Sequence, residues 1–328
     1  MSKTIFFPYS NEKQFDFLYN RCNKNDIVIF NFPGSRPNWV NCLREKGVEV
    51  LAYISVYKIL IISELDESNG FSYGSVSKEE VEMNPFWRST AIDKTDRISE
   101  LEKISISESG ELIRPFRKAD YKKGWYQTCL HSKKLEKQII NGIDNLFNAI
   151  KISGIFIDNV VSRLDSCIHC MGINDNLLVR QQSILTEIYN NLKRTKKNSL
   201  IYLNTGRRTL FEPIIPADMY VSENFCFGDS TSQNQSLTFA GKVYTSEMSF
   251  YLDVVTVRDE LFRRGIMLLG YTKINGNISE TLLKERLDLA HKLAVRLDIQ
   301  WTFRITFISI ERKKEILNKL GGLKEYGM

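Results

Sequence analysis

Eight times along the chain a short β-branched or aromatic run ends abruptly in a polar residue, and most of these runs are followed by a helical pattern. That alternation is the signature of parallel strands covered by helices. The runs are Thr4–Phe7, Ile27–Phe30, Val48–Ser55, Gly154–Asp158, Ser199–Leu203, Met219–Ser222, Ile266–Leu269 and Trp301–Ile305. Eight such units predict an α/β fold, a (β/α)8 TIM-like barrel. A further run, Lys242–Thr245, is placed in the loop after the sixth strand.

The helical segments carry their own signals. Leu135, Ile139, Ile143, Leu146 and Ile150 step by four, four, three and four, so they form one apolar stripe. Helices are also expected from Pro37 to Glu45, Asn176 to Lys193, Val257 to Arg264 and Ser279 to Asp298. Residues 57–120 break the rhythm with Gly, Ser, charge and aromatic islands such as Asn84-Pro85-Phe86-Trp87, and a hairpin is expected near Ser109-Gly110. They read as an insertion after the third strand, within one barrel domain spanning residues 1–328. A barrel of this size commonly folds as one unit.

Composition narrows the function classes. The net charge of +6 comes from 45 basic and 39 acidic residues with no long basic run, so no nucleic-acid partner is expected. No stretch approaches the ~20 apolar residues of a membrane helix, and the N-terminal run meets Pro8 too early for a signal peptide, so a cytoplasmic protein is expected. The six cysteines are then expected as free thiols. Nothing in the sequence assigns an oligomeric state.

In such barrels the active site is assembled at the C-terminal ends of the strands. The polar residues found there are Tyr9, Asn31, Tyr53 with Ser55, Asp158 with Asn159, Asn204, Glu223 with Asn224, Tyr271 with Lys273, and Arg304 with Thr306. Hydroxyls, amides and carboxylates of this kind suit a polyhydroxy ligand, and Trp87, Trp125 or Tyr126 could offer a flat face to a sugar ring. Asp158 and Glu223 end two inner strands, and two carboxylates flanking a bond can divide acid and nucleophile or base roles. The plainer alternative is that Asp158 caps a turn and Glu223 pairs with an arginine.

Other chemistries find less support. Cys167 and Cys170 could share a metal, but no second Cys/His pair has zinc-site spacing, and a loop thiol pair is the simpler reading. His131 opens an expected helix and His291 lies within one, so each reads as structural. The sequence contains no Gly-x-Ser-x-Gly elbow, phosphate loop or dinucleotide fingerprint, so no cofactor is expected.

Four segments bring a family into view. Val50-Leu-Ala-Tyr-Ile-Ser55, Gly154-Ile-Phe-Ile-Asp-Asn159, Val221-Ser-Glu-Asn224 and Leu268-Leu-Gly-Tyr-Thr272 occur in order, and across them the chain resembles endo-α-1,4-polygalactosaminidase-like glycoside hydrolases. The resemblance spans about residues 48 to 305. It implies a barrel cleaving an amino-sugar polymer, with Asp158 and Glu223 as the acidic pair. Tyr53, Ser55, Asn159, Asn204, Asn224, Tyr271, Lys273 and Trp125 are the expected substrate-binding residues. Two positions depart from the family pattern: Ser55 is followed by Val56-Tyr57-Lys58 instead of x-Gly-Glu, and Gly-Tyr-Thr replaces an Asp-Tyr. Those departures leave a second expectation open, a catalytically degenerate barrel that binds carbohydrate or assists cytoplasmic surface-glycan biosynthesis.

Overall fold

A computed structural model describes residues 4–7, 12–31, 33–65, 77–93, 98–113, 124–160, 167–168, 177–205, 214–227, 236–306, 311–312 and 315–316. One sheet contains eight strands: β1 Thr4–Phe7, β2 Ile27–Phe30, β3 Glu49–Ser55, β4 Gly154–Val160, β5 Leu200–Thr205, β6 Met219–Glu223, β7 Met267–Asn275 and β8 Gln300–Thr306. Neighbours in the sheet are neighbours in the chain, and every pairing is parallel. β1 also lies against β8, so the sheet curls round on itself as a TIM-like barrel. A helix follows each strand from β1 to β7 except β5, whose connection lies partly outside the described residues.

The sheet divides the apolar residues into two layers. Ile27, Ile29, Leu51, Phe156, Tyr202, Met219, Val221, Leu269 and Tyr271 fill the barrel interior. A larger shell packs the opposite strand faces against the helices, and all five residues of the stripe from Leu135 to Ile150 are buried in it. Backbone approach is close at the foot of β4, where a Cβ on Gly154 would meet the Leu200 carbonyl oxygen at 2.1 Å.

The structure extends several expected elements. β7 continues from Leu269 to Asn275 because β8 pairs with it as far as Thr306, so Tyr271 and Lys273 lie within the strand. β4 runs to Val160, with its register against β5 shifting after Ile157. The helix expected from Val257 begins ten residues earlier, at Glu247, with the Ser246 hydroxyl accepting from the Ser249 amide as its cap. Lys242–Tyr244 does form a strand, in an antiparallel pair with Leu237–Phe239 after β6.

Residues after β3 build an α-rich layer on the barrel wall. Short strands Lys58–Leu60 and Trp125–Gln127 pair antiparallel, and helices Lys78–Met83, Pro85–Thr90 and Ile98–Leu101 lie between them in sequence. The Asn84 side chain caps the second of these helices, accepting from the Phe86 and Trp87 amides at 3.1 and 3.3 Å. Among the described residues no helix is long and apolar enough to cross a membrane.

Candidate active site

The period of two along a strand positions the site. Tyr53, Phe156, Tyr202, Val221 and Tyr271 belong to the interior layer. The next inward residue toward the C-terminal end of each strand is Ser55, Asp158, Asn204, Glu223 and Lys273 respectively, so five consecutive strands present a polar layer directly above an apolar floor. Ser55 stands level with Asp158 across β3 and β4, and Arg304 stands level with Lys273 across β7 and β8.

Hydrogen bonds join this layer into a chain. The Tyr53 hydroxyl donates to Asp158 Oδ2. The Asn204 amide Nδ2 donates to Asp158 Oδ1 at 2.6 Å and to Glu223 Oε2 at 3.3 Å. Lys273 Nζ forms an ion pair with Glu223 Oε1 and lies 5.8 Å from the Tyr271 ring centre. Each carboxylate thus shares the central amide and keeps a second donor of its own. Below them, burial pushes the Tyr202 phenol above its ordinary range, with the charges of Asp218 and Glu49 adding to the shift.

Three buried amide oxygens at strand ends have no hydrogen-bond partner among the described residues: Asn31 Oδ1 after β2, Asn204 Oδ1 on β5 and Asn224 Oδ1 after β6. An unsatisfied buried acceptor is costly and calls for an explanation. Asn224 itself is left-handed, with φ of 60°, and its carbonyl accepts from the Thr238 hydroxyl at 2.5 Å. That turn is anchored by Phe225, whose amide donates to the Tyr271 carbonyl at 3.0 Å and whose own carbonyl accepts from Thr272 Oγ1 at 2.7 Å.

Other expected residues fall differently. Ser55 is buried, and its hydroxyl accepts from the Tyr57 amide at 3.3 Å. Trp125 stands apart from the polar layer: it is 6% exposed, meets Trp87 edge-on at 5.3 Å and belongs to the shell core, so protein atoms cover the ring expected to face a sugar. Trp87 and Tyr126 are buried in the same core. The Asn159 backbone continues β4, whereas its side chain, Tyr9, His169 and Cys170 lie outside the described residues. Cys167 is a buried thiol whose sulfur accepts from the Ile106 amide at 3.3 Å. Sequence reasoning named the members of the polar layer without its connections, because donor–acceptor pairing across strands depends on register.

Fold and site together define a parallel (β/α) barrel with a carboxylate-bearing polar layer at the C-terminal ends of its strands. No protein-family model matches the chain, and no curated protein matches it by sequence. Solved structures do. The glycoside hydrolase domain of PelA from Pseudomonas aeruginosa superposes with a TM-score of 0.52 at 15% identity, over 93% of this chain and 94% of that one. Alpha-L-fucosidase isoenzyme 2 from Paenibacillus thiaminolyticus gives 0.56 at 13% identity, over 99% of this chain and 49% of that one. Cyclic alpha-maltosyl-(1→6)-maltose hydrolase from Arthrobacter globiformis gives 0.54 at 9%, over 99% and 81%. At these identities the likeness is one of fold.

Proposed function

We propose that the protein is a glycoside hydrolase acting on a glycan, of the amino-sugar class, through Asp158 and Glu223. The observation that carries this reading is the Asn204 amide held between the two carboxylates. Its two hydrogen bonds keep the nearer carboxylate oxygens within about 6 Å of each other, so the pair can flank one glycosidic bond. We assign Asp158 the nucleophile's role and Glu223 the acid's, which makes the course a retaining one. Asp158 attacks the anomeric carbon as Glu223 protonates the leaving oxygen, and Glu223 then takes a proton from the water that releases the sugar from Asp158. The unpartnered oxygens of Asn31, Asn204 and Asn224 support a ligand rich in donors, as the hydroxyl and amino groups of an amino sugar are. The hydrolase folds of the structural neighbours support the class.

The test is reducing-end release from a panel of amino-sugar and hexose oligosaccharides by wild type, Asp158→Asn and Glu223→Gln. Each variant is expected to lose at least about 10²-fold in turnover. One observation favours a second reading, a binding barrel without turnover: Lys273 already occupies one oxygen of Glu223. Sugar binding by calorimetry without release of reducing ends would establish it.

A further inference from the structure

The end of the barrel opposite the polar layer carries a different chemistry. There the helices stop and the chain turns into the next strand, and four consecutive turns each present a cation: Lys24 before β2, Lys46 before β3, Lys151 before β4, and Lys196 with Lys197 before β5. Arg194 joins them from the last turn of helix Leu177–Thr195. The strands they precede are neighbours in the sheet, so these cations form an arc along one rim of the barrel. Lys196 Nζ donates to Asn148 Oδ1 at 3.3 Å, which draws the end of helix Leu177–Thr195 against the end of helix Lys133–Ala149, just before Lys151.

Cations at helix C-termini are ordinarily explained by the helix dipole and by the carbonyls left open there. Lys46 fits that explanation, since its ammonium donates to the Tyr19 carbonyl and lies 4.4 Å from the Tyr19 ring centre. The rest of the arc does not fit it. Lys24, Lys151 and Lys197 are exposed and make no hydrogen bond or ion pair among the described residues, and Arg194, also exposed, bonds the Asn191 side-chain oxygen alone. Most acids at this end are already engaged: Glu49 by Arg44, Asp218 by Lys193, and Glu260 by Arg263 and Arg264. Glu45 and Asp298 are the remaining exposed ones, and neither lies in the turns before β4 and β5.

We infer that this end of the barrel is a docking face for an anionic lipid bilayer. Charge selects a polyanion, and the arrangement of the charge selects its form. Cations spread along the rim of a barrel end meet a plane of headgroups together, each adding to the attraction near the surface. A nucleic-acid duplex is a rod, whose phosphates reach the cations along one line across that end and leave the others idle. Further round the same end, Phe262 and Met267 are 78% and 46% exposed and flank Arg263 and Arg264. Apolar side chains beside cations enter the boundary layer of a bilayer and have no counterpart on a phosphate backbone. Docking in this way turns the polar layer away from the membrane, and the inference holds whether or not the barrel is a hydrolase.

Co-sedimentation of the full chain with vesicles tests this. Binding is expected to phosphatidylcholine vesicles containing about one-third phosphatidylglycerol and not to phosphatidylcholine alone, and it should fall as salt rises. A Lys near such a surface contributes about fivefold to partitioning, so Lys196→Glu combined with Lys197→Glu is expected to weaken binding at least about tenfold, and Lys151→Glu at least about fivefold. Lys151→Gln and Lys197→Gln, which remove charge without reversing it, repeat the loss in smaller measure. Lys137→Glu makes the same charge change on an exposed residue near the other end of helix Lys133–Ala149 and leaves binding within about twofold of wild type. Unchanged thermal midpoints show that the variants are folded. A wild type that ignores the anionic vesicles at low salt, equal losses in Lys137→Glu and the barrel-end variants, or tighter binding to a DNA duplex than to the vesicles overturns the inference.

Discussion

Asn204 stands where two negative groups would otherwise repel, and its amide gives each of them a proton donor. Asn204→Asp keeps the shape but removes both donors and adds a third acid. Unfolding in urea at neutral pH is expected to show a loss of about 1–3 kcal/mol, the cost of stripping partners from buried polar groups. Turnover on any substrate found for wild type should fall with it, and an Asn204→Asp protein as stable as wild type would remove the amide from its bridging role. Tyr53→Phe deletes one neutral donor to Asp158 and should cost less, about 0.5–1.5 kcal/mol in the same assay. At this scale the sequence was informative wherever a polar residue closed an apolar run, as Asp158, Asn204 and Glu223 do. It misled at Trp125, because a tryptophan in a segment without periodicity carries no mark of whether its ring meets ligand or core.

Elements set the precision of these contacts. Gly270 lies on β7 under the Phe225 ring, and a Cβ there would meet ring carbons at 2.7 Å. Gly270→Ala must therefore push Phe225, two residues past Glu223, off the strand that anchors it. The expected result is a loss of about 1–3 kcal/mol from overpacking with a fall in turnover that exceeds the fall in substrate affinity, measured as kcat against KM. The Gly in Gly-Tyr-Thr thus has a packing reason that the sequence pattern alone does not display. A second element-level test concerns the contact between helices Lys133–Ala149 and Leu177–Thr195, where the exposed Glu187 is held above the usual carboxylate range by its hydrogen bond to Glu136, with partial desolvation and the Glu136 charge adding to the shift. A carboxyl with a raised folded-state pKa contributes stability fully present below its unfolded value and lost as pH rises through the folded one. Glu187→Gln, an uncharged donor at every pH, should gain stability relative to wild type as pH climbs from acid to neutral, by under about 1 kcal/mol for so exposed a group. A difference that is constant with pH would exclude the shared proton. Helix Glu247–Arg263 shows where element boundaries were not legible: apolar residues on two opposite faces blur the 3.6-residue period, and its first ten residues do not read as amphipathic.

At the scale of the whole molecule the strand order was legible because eight apolar runs, read in sequence, are also neighbours in space. The placement of the insertion was not, since its partners are distant in sequence. Phe86, Trp87, Ile92, Ile104 and Trp125 belong to the same buried cluster as Leu135, Ile139 and Ile143 of the barrel helix. Gly142 on that helix permits the approach, because a Cβ there would stand 3.2 Å from the Phe86 carbonyl oxygen. A shared core couples the stabilities of the two parts: neither can expose its face of the cluster without exposing the other's. Trp87 is fully buried between Phe86 and Trp125, at 5.0 and 5.3 Å between ring centres, so Trp87→Ala removes the centre of the contact. Its expected cost is about 3–5 kcal/mol, and calorimetry should show one transition moved to lower temperature, with calorimetric and van't Hoff enthalpies in agreement. A variant that melts in two steps, with the upper step at the wild-type midpoint, would show that the insertion unfolds independently and that the barrel does not depend on it.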